Sequence, residues 1–189
     1  MPIVQYQETA RIAGMLLKLM CQRALLRRQR PERPVAIIVD EAQNYVSSFD
    51  WEFAAMSRSQ RATSIYATQS LQNYASKLGY GADAAVKALL AQFQAQIFCR
   101  NNDVHTNQYA ADLIARRWRT RMNSSSQNSL SGPSQGTSSS QSLEYPVQPG
   151  DFLHLRSGGP PHYAVDTMLV GARPWSHGDV YLPVTFYQK

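Results

Sequence analysis

The sequence has little of what marks a secreted, metal-binding or membrane-spanning protein. Its two cysteines, Cys21 and Cys99, lie far apart in apolar surroundings, so we expect free buried thiols in a reducing compartment. Its four histidines are scattered and form no metal-ligand spacing. No apolar run approaches the roughly 20 residues that a membrane-spanning helix needs, and no signal peptide is evident. These absences favour a cytoplasmic protein.

Acidic residues are fewer than basic ones. The 189 residues contain 19 Lys and Arg against 13 Asp and Glu, a net charge of +6, which permits contact with nucleic acid or an anionic membrane without requiring it. The basic residues cluster in 23–33 and 116–121. Each cluster is either the solvated end of a helix, since cations suit helix carboxyl ends, or a phosphate-binding patch. The second cluster supplies the candidate nucleic-acid contacts Arg116, Arg117, Arg119 and Arg121.

Short apolar runs alternate with amphipathic segments along most of the chain. The run Val35–Val39 has no polar alternation, as is typical of a strand covered on both faces. Residues 63–70 and 95–99 are further predicted strands. This order predicts an α/β fold, a three-layer sandwich with a mainly parallel sheet and two extra closing strands at the carboxyl end. The predicted helices span 8–28, 50–60, 71–78, 82–92 and 103–118.

One segment breaks this alternation. Ten of the twenty residues in 123–142 are Ser, and most others are Gln, Asn, Gly or Thr, so the segment has almost no apolar surface to bury. It is either a flexible excursion or a hairpin that a partner orders. The predicted organisation is therefore an α/β core over 1–122, an insertion over 123–142, and closing strands of the same domain over 143–189.

Two adjacent carboxylates, Asp40 and Glu41, follow the first apolar run directly, and Thr68 and Gln69 end the next one. Ligands of doubly wound sheets bind at the carboxyl ends of the strands, so these four residues are candidate nucleotide contacts. An Asp there can hold the Mg²⁺ of a nucleotide through water, and the following Glu can polarise the attacking water. An amide on the adjacent strand can sense the γ-phosphate. The plain alternative is that the two acids only cap a helix.

Four phrases of the sequence resemble one family. They are PVAIIVDEAQNYV (34–46), SRSQRATSIYATQSLQNY (57–74), AQIFCRNNDVHTNQYAADLI (95–114) and PGDFLHLRSGG (149–159). Their order and spacing are similar to the carboxyl-terminal half of conjugative type IV coupling proteins, the TraD/TraG group of RecA-like DNA-pumping ATPases. The phrases NND and VHTN match a recurring pattern of this family, to which the sequence alone assigns no chemistry.

The resemblance implies roles for particular residues. Asp40 and Glu41 correspond to the Walker B acids, with Mg²⁺ at Asp40, and Gln69 to the γ-phosphate sensor. A trans-acting arginine finger corresponds to Arg58, with Arg61 as the second match. The family also implies ATP and Mg²⁺ in the intact enzyme, a hexameric ring, DNA or relaxosome proteins as partners, and a place at the cytoplasmic face of the inner membrane.

The sequence departs from this family in one respect. It contains no GxxxxGK[ST] phosphate-binding loop, and the lone Gly14 lies in a predicted helix with no Gly-Lys after it. Backbone N–H groups to cradle phosphate and a lysine for the β- and γ-oxygens are therefore missing. We expect the chain to carry half of an ATP site, to bind no cofactor alone, and to hydrolyse ATP only when completed by an amino-terminal half.

Two other functions remain open at this stage. A superfamily-2 helicase also carries a DEAQ-like box, but the QxxGRxxR stretch of its second domain is absent from this sequence. A non-catalytic module that recognises a relaxosome or secretion partner would need only the surface of the domain. A titration with ATP separates the module from the enzyme.

Overall fold

The computed structural model describes residues 7–30, 32–79, 81–129, 132–171, 173–176 and 178–188. The chain divides into two compact units, residues 1–96 and residues 97–189. Among the helices of the described ranges, none has the length and apolar character that crossing a membrane requires.

In its described residues, the first unit combines four α-helices with a small parallel sheet. Its elements are α1 (Gln7–Leu26), β1 (Val35–Val39), α2 (Phe49–Ser57), β2 (Ala62–Tyr66), α3 (Leu71–Leu78) and α4 (Asp83–Leu90). β1 and β2 run parallel over five residue pairs. Ser70 caps the start of helix α3, since its hydroxyl accepts a hydrogen bond from Asn73 N (3.4 Å). The helix ends at Gly79, which adopts a φ of 94°, a backbone conformation that glycine reaches more readily than other residues. The predicted helix 71–78 is therefore confirmed.

A buried ion pair links α1 to α2. Lys18 and Asp50 are 6% and 2% exposed, and the Lys18 ammonium donates to both Asp50 carboxylate oxygens. Gln22 Nε2 (2.8 Å) and the Tyr66 hydroxyl (2.6 Å) also donate to Asp50 Oδ1. Burial alone would raise the pKa of the Asp50 carboxyl, but the hydrogen bonds from Lys18, Tyr66 and Gln22 outweigh it and hold the pKa below its usual value. The charged carboxylate thus joins α1, α2 and β2.

The described part of the second unit contains one α-helix and the antiparallel strands. Its elements are α5 (Val104–Ile114), β4 (Arg117–Ser129), β5 (Gly132–Glu144), β6 (Ala164–Gly171) and β7 (Tyr181–Tyr187), and β3 (Ala95–Phe98) runs across the division between the units. β3, β6 and β7 form a sheet in that order, with β6 and β7 antiparallel, and β4 and β5 form a separate antiparallel hairpin. The core of this unit is made by Phe98, Ala110, Ala111, Ile114, Val147, Phe152 and Val170.

The predicted sheet architecture is confirmed only in its coarse form. The chain is mixed α/β, and the two closing strands exist as β6 and β7. The described sheets are small, however, and β6 pairs with β7 in the antiparallel sense, so a mainly parallel three-layer sandwich is not confirmed. The reason lies in the connection: only nine residues, 172–180, separate the two strands, and a parallel crossover needs about a dozen or more.

The predicted helix 103–118 is too long at its carboxyl end. Helix α5 stops at Ile114, because Ala115 adopts a φ of 69° that no helix continues through. The arginines expected at a helix end lie instead after the helix, at Arg116, and on strand β4. Trp118, the last residue of the predicted helix, is exposed.

The structure also bears on the predictions for the two cysteines and for the Ser-rich segment. Cys21 and Cys99 are free thiols, as expected, but both are exposed and not buried. The Ser-rich segment 123–142 lies within the β4–β5 hairpin, apart from residues 130 and 131, which are outside the described residues.

Candidate functional site

The carboxyl ends of β1 and β2 meet at one place. Beyond the strands, Ala67 N donates to Val39 O (2.9 Å) and Ala42 N donates to Ala67 O (2.9 Å). These two bonds extend the parallel pairing past Tyr66, so the acidic pair after β1 and the Thr-Gln pair after β2 lie side by side. The carboxyl ends of β1 and β2 therefore bring together Asp40, Glu41, Thr68 and Gln69, the four residues that the sequence predicts at one edge of the sheet.

Glu41 is the centre of a polar network. Its Oε1 accepts a hydrogen bond from Gln69 Nε2 (2.6 Å), and its Oε2 accepts one from Gln43 Nε2 (2.5 Å). The Thr68 hydroxyl in turn donates to Gln43 Oε1 (2.8 Å). Both strand ends contribute to this network, so the orientation of the Glu41 carboxylate is set from two sides.

The backbone of Glu41 is unusual. It adopts φ 49° and ψ 47°, in the left-handed region of backbone conformation that residues other than Gly, Asn and Asp rarely occupy. Asp40 Oδ1 accepts a hydrogen bond from Glu41 N (2.9 Å), which supports this turn directly after β1. Backbone strain of this kind costs about 1–3 kcal/mol and concentrates at functional sites.

The site offers few protein ligands for a metal ion. Asp40 is exposed, and its Oδ1 accepts a hydrogen bond from Glu41 N. The described residues contain no cluster of three or more His, Cys, Asp or Glu side chains around one point. Mg²⁺ commonly binds through one or two carboxylates, with water and phosphate oxygens as its other ligands. The exposed carboxylate of Asp40 fits that pattern as one such ligand.

Gln43 is a site residue that the sequence analysis did not single out. It is 6% exposed and joins Glu41 to Thr68. The signal was present, since Gln43 lies two positions after Glu41 in the DEAQ phrase. It was missed because a Gln in a predicted loop has no distinctive spacing.

The two candidate finger arginines differ in their surroundings. Arg58 is exposed at the start of a 3-10 helix that follows α2, and among the described residues its guanidinium has no hydrogen bond or ion pair. Arg61 has a φ of 49°, and its Nη1 donates to Glu32 O (3.1 Å). No hydrogen bond or ion pair of the described residues joins either arginine to Asp40 or Glu41. Arg58 is therefore the freer of the two to reach another molecule.

The four arginines proposed for nucleic-acid contact each have a partner. Arg116 stacks on the Tyr145 ring (4.4 Å to the centroid), and Arg117 forms an ion pair with Asp179. Arg119 (4.0 Å) and Arg121 (2.8 Å) share the carboxylate of Glu144. The DNA contact stays a prediction, and these partners would compete with phosphate for the guanidinium groups.

The NND and VHTN phrases have a structural role. The Asp103 carboxylate caps α5 by accepting from His105 N (3.2 Å) and Thr106 N (3.3 Å). Buried Asn107 donates through Nδ2 to Asn101 O (2.9 Å), which holds the loop before the helix. Partial burial alone would raise the pKa of the Asp103 carboxyl, but the hydrogen bonds from Thr106 and His105 outweigh it and lower the pKa, so the cap stays charged.

One edge of β1 is open. Val35 N donates to Arg61 O and Val39 O accepts from Ala67 N, so the backbone groups of Ala36 and Ile38 point away from β2. No described strand pairs with that edge, and Ile38 is 73% exposed. A parallel strand normally has a neighbour on each side and cover on both faces.

An apolar groove lies beside β1. It has a volume of about 750 Å³, runs between α1 and β1, and ends near Asp40 and Tyr45. Gly14 of α1 lines it, and a side chain at that position would overlap the Tyr45 ring. Gly14 is thus a close packing point between α1 and the turn after β1.

Comparisons with known proteins agree on one group. A family model described as the TraM recognition site of TraD and TraG matches residues 34–153. The fold is similar to the bacterial conjugative coupling protein TrwBdeltaN70 in its unbound monoclinic form (TM-score 0.60, 14% identity). It is also similar to the plasmid coupling protein TrwB in complex with the non-hydrolysable GTP analogue GDPNP (TM-score 0.61, 13% identity). No curated protein sequence matches the chain.

The two structural matches are partial. They cover 89% of this chain but only 35% and 34% of the solved chains, so this chain spans about a third of their length. At 13% to 14% identity, the likeness establishes the fold alone.

Proposed function

The chain belongs to the family described as the TraM recognition site of TraD and TraG, and on that basis we propose that it is the carboxyl-terminal part of a conjugative coupling ATPase. In the complete RecA-like core, it supplies the Walker B half of an ATP site that drives the transfer of DNA or protein substrates. The site acts at the cytoplasmic face of the inner membrane, in a ring of identical subunits.

The observation that carries this proposal is the contact between the two strand ends. The Gln69 side chain, which follows β2, donates a hydrogen bond through Nε2 to Oε1 of Glu41, which follows β1 (2.6 Å). In the proposed mechanism Asp40 would hold Mg²⁺ and Glu41 would orient the attacking water. A γ-phosphate would compete for the Gln69 amide, and Thr68 positions Gln43 behind Glu41. Gln69 could therefore report the nucleotide state directly to the catalytic carboxylate.

The missing groups of the site would come from outside this chain. Phosphoryl transfer relies mainly on positioning and charge neutralisation, which need a phosphate cradle and a cation near the β- and γ-oxygens. A strand added beside Ala36 and Ile38 would end near Asp40, which is where such a cradle is required. Arg58, exposed after α2, is proposed as the arginine finger that acts on a neighbouring subunit, with Arg61 as the second candidate.

A measurement of ATP turnover tests the proposal. We expect the purified chain to release no phosphate from MgATP above background, because it lacks the phosphate cradle. Joining it to a preceding segment that carries a phosphate-binding loop should produce Mg²⁺-dependent turnover. Turnover by the chain alone that Glu41→Gln removes, or a joined protein that stays inactive while it binds nucleotide, would contradict the proposal.

A second candidate function is recognition of a relaxosome protein without catalysis. It is favoured by a different observation, the exposed apolar side chains of the β4–β5 hairpin, of which Trp118 is the largest. The family description names TraM recognition, and the matched residues 34–153 include this hairpin. The two functions are compatible, since the hairpin and the strand ends belong to different units.

A further inference from the structure

Gln43 is a buried polar side chain between the two strand ends. It lies in the 3-10 helix Ala42–Asn44, which follows β1, and it is 6% exposed. A buried amide costs free energy unless its donors and acceptors have partners. Both ends of this amide have one: Nε2 donates to Glu41 Oε2 (2.5 Å), and Oε1 accepts from the Thr68 hydroxyl (2.8 Å). The side chain of Gln43 therefore connects Thr68 to Glu41.

The chemistry of the two partners determines which way the Gln43 amide points. An ionised carboxylate only accepts hydrogen bonds, so the amide has to turn its NH₂ group towards Glu41. With the amide reversed, its carbonyl oxygen would face the carboxylate with no hydrogen between the two oxygens. The Thr68 hydroxyl donates to the carbonyl oxygen at the opposite end of the amide. Thr68 and Glu41 thus stabilise the same orientation of Gln43.

The Thr68 hydroxyl has a single hydrogen to donate. Two acceptors lie near it, Gln43 Oε1 at 2.8 Å and Ser70 O at 3.2 Å. The shorter distance, which is the usual one for a hydroxyl donor, favours donation to Gln43. A hydroxyl that donates to Gln43 has no hydrogen left for a phosphate oxygen. The contacts of Thr68 therefore favour a role on Glu41 over a role on a nucleotide.

The backbone holds Gln43 and Thr68 at matching places. Ala42 N donates to Ala67 O (2.9 Å), and these two residues come immediately before Gln43 and Thr68. This backbone bond fixes the separation of the two chain segments at the point where the side chains meet. Replacing either side chain therefore removes a side-chain hydrogen bond and leaves the pairing of the two segments in place.

Gln43 and Gln69 hold different oxygens of the Glu41 carboxylate. Gln69 Nε2 donates to Oε1 (2.6 Å), whereas Gln43 Nε2 donates to Oε2. Gln69 is exposed, and Gln43 is buried. Buried side chains are held by close packing, so Gln43 keeps its place while Gln69 is open to a competing partner. Gln43 is thus the constant support of the carboxylate.

From these contacts we propose that Gln43 is a positioning residue for the Glu41 carboxylate, and that Thr68 acts on Glu41 through Gln43 and not on the nucleotide. We call Thr68, Gln43 and Glu41 the relay. Its effect on ATP turnover rests on the proposed function. The hydrogen bonds of the relay all lie within this chain, so they can be measured without ATP.

Nuclear magnetic resonance of the 189-residue chain tests the relay without nucleotide. Thr68→Val removes the hydroxyl and keeps the shape of the side chain. We expect it to shift the carboxyl-carbon resonance of Glu41. It should also speed hydrogen exchange of the Gln43 side-chain amide by about 2- to 10-fold, as for the loss of one hydrogen bond. In a Gln43→Met background, Thr68→Val should no longer move the Glu41 resonance, because the connection is already broken.

The matched control for the resonances is Thr63→Val, which removes an exposed hydroxyl from β2 and should change neither readout. Circular dichroism checks that each variant folds. Gln43→Asn, whose shorter side chain cannot reach both partners, takes the place of Gln43→Met if that variant is unfolded. A Glu41 resonance that Thr68→Val leaves unmoved, or shifts by the same amount in the Gln43→Met background, would overturn the proposal.

ATP turnover of the chain joined to a phosphate-binding half gives a second readout. Gln43→Met and Thr68→Val should lower kcat by up to about 100-fold, as for a catalytic group misplaced by about 1 Å, with nucleotide affinity unchanged. Thr68→Ser keeps the hydroxyl and should recover most of the turnover that Thr68→Val loses. Weaker nucleotide binding in Thr68→Val at unchanged kcat would overturn the proposal. Absence of turnover in the joined wild type would count against the proposed function, while the resonances still decide the relay.

Discussion

Replacing Glu41 by Gln should stop ATP turnover while leaving nucleotide binding intact, when the chain is joined to a phosphate-binding half. Removal of a positioned general base lowers the rate by about 10²- to 10⁴-fold. The amide of Gln keeps the size of the side chain and one of its two acceptor oxygens, so one of the two hydrogen bonds, from Gln69 or from Gln43, is retained. Phosphate release measures the turnover, and titration with a fluorescent ATP analogue measures the affinity.

The matched control for this change is Glu52→Gln. Glu52 is an exposed carboxylate on α2, so its replacement makes the same chemical change away from the strand ends. We expect wild-type turnover and affinity from it. If Glu41→Gln lost binding together with turnover, Glu41 would be holding the nucleotide and not the water.

Replacing Asp50 by Ala should destabilise the chain by about 3–5 kcal/mol, the usual cost of removing one partner of a buried ion pair. The change leaves the Lys18 ammonium buried and removes the acceptor of the Tyr66 hydroxyl and of Gln22. Urea denaturation followed by circular dichroism gives the free energy of unfolding. Glu52→Ala, which removes an exposed acid from the same helix, should change it by less than about 0.5 kcal/mol.

The double replacement Lys18→Met with Asp50→Leu tests the reason for this effect. It removes both charges together, so we expect it to recover most of the stability lost in Asp50→Ala. The pKa of Asp50 is held below its unfolded value, so its contribution is present above about pH 4 and is lost as the pH falls through the folded pKa. A cost near zero for Asp50→Ala would contradict this reading of the pair.

The grouping of polar residues at the ends of β1 and β2 could be predicted from the sequence, because the local pattern that marks each strand also determines which residues the paired strands bring together. Val35–Val39 is apolar throughout and is followed by two acids, and the next strand ends in Thr68 and Gln69. Parallel pairing then has to bring these ends together. The Lys18–Asp50 pair could not be found in this way, since charged residues on amphipathic helices normally face water and nothing in their spacing indicates burial.

The β4 strand was missed although its signal was present. Arg117 to Met122 alternates cationic and uncharged residues with the period of two that is typical of a strand. The preceding helical pattern was continued across it, because Trp118 falls four residues after Ile114. The left-handed Ala115 ends the helix between them, and an Ala in that conformation has no sequence signature.

Electron paramagnetic resonance of Mn²⁺, used in place of Mg²⁺ with a non-hydrolysable ATP analogue, tests the proposed site most directly. The joined protein should bind Mn²⁺ only with the analogue, and Asp40→Ala should weaken that binding by at least about tenfold, as is usual when a residue that orients metal-bound water is removed. Asp83→Ala, an exposed acid on α4, should bind as the wild type does. Equal Mn²⁺ affinity in Asp40→Ala and the wild type would contradict a nucleotide–metal site at the end of β1.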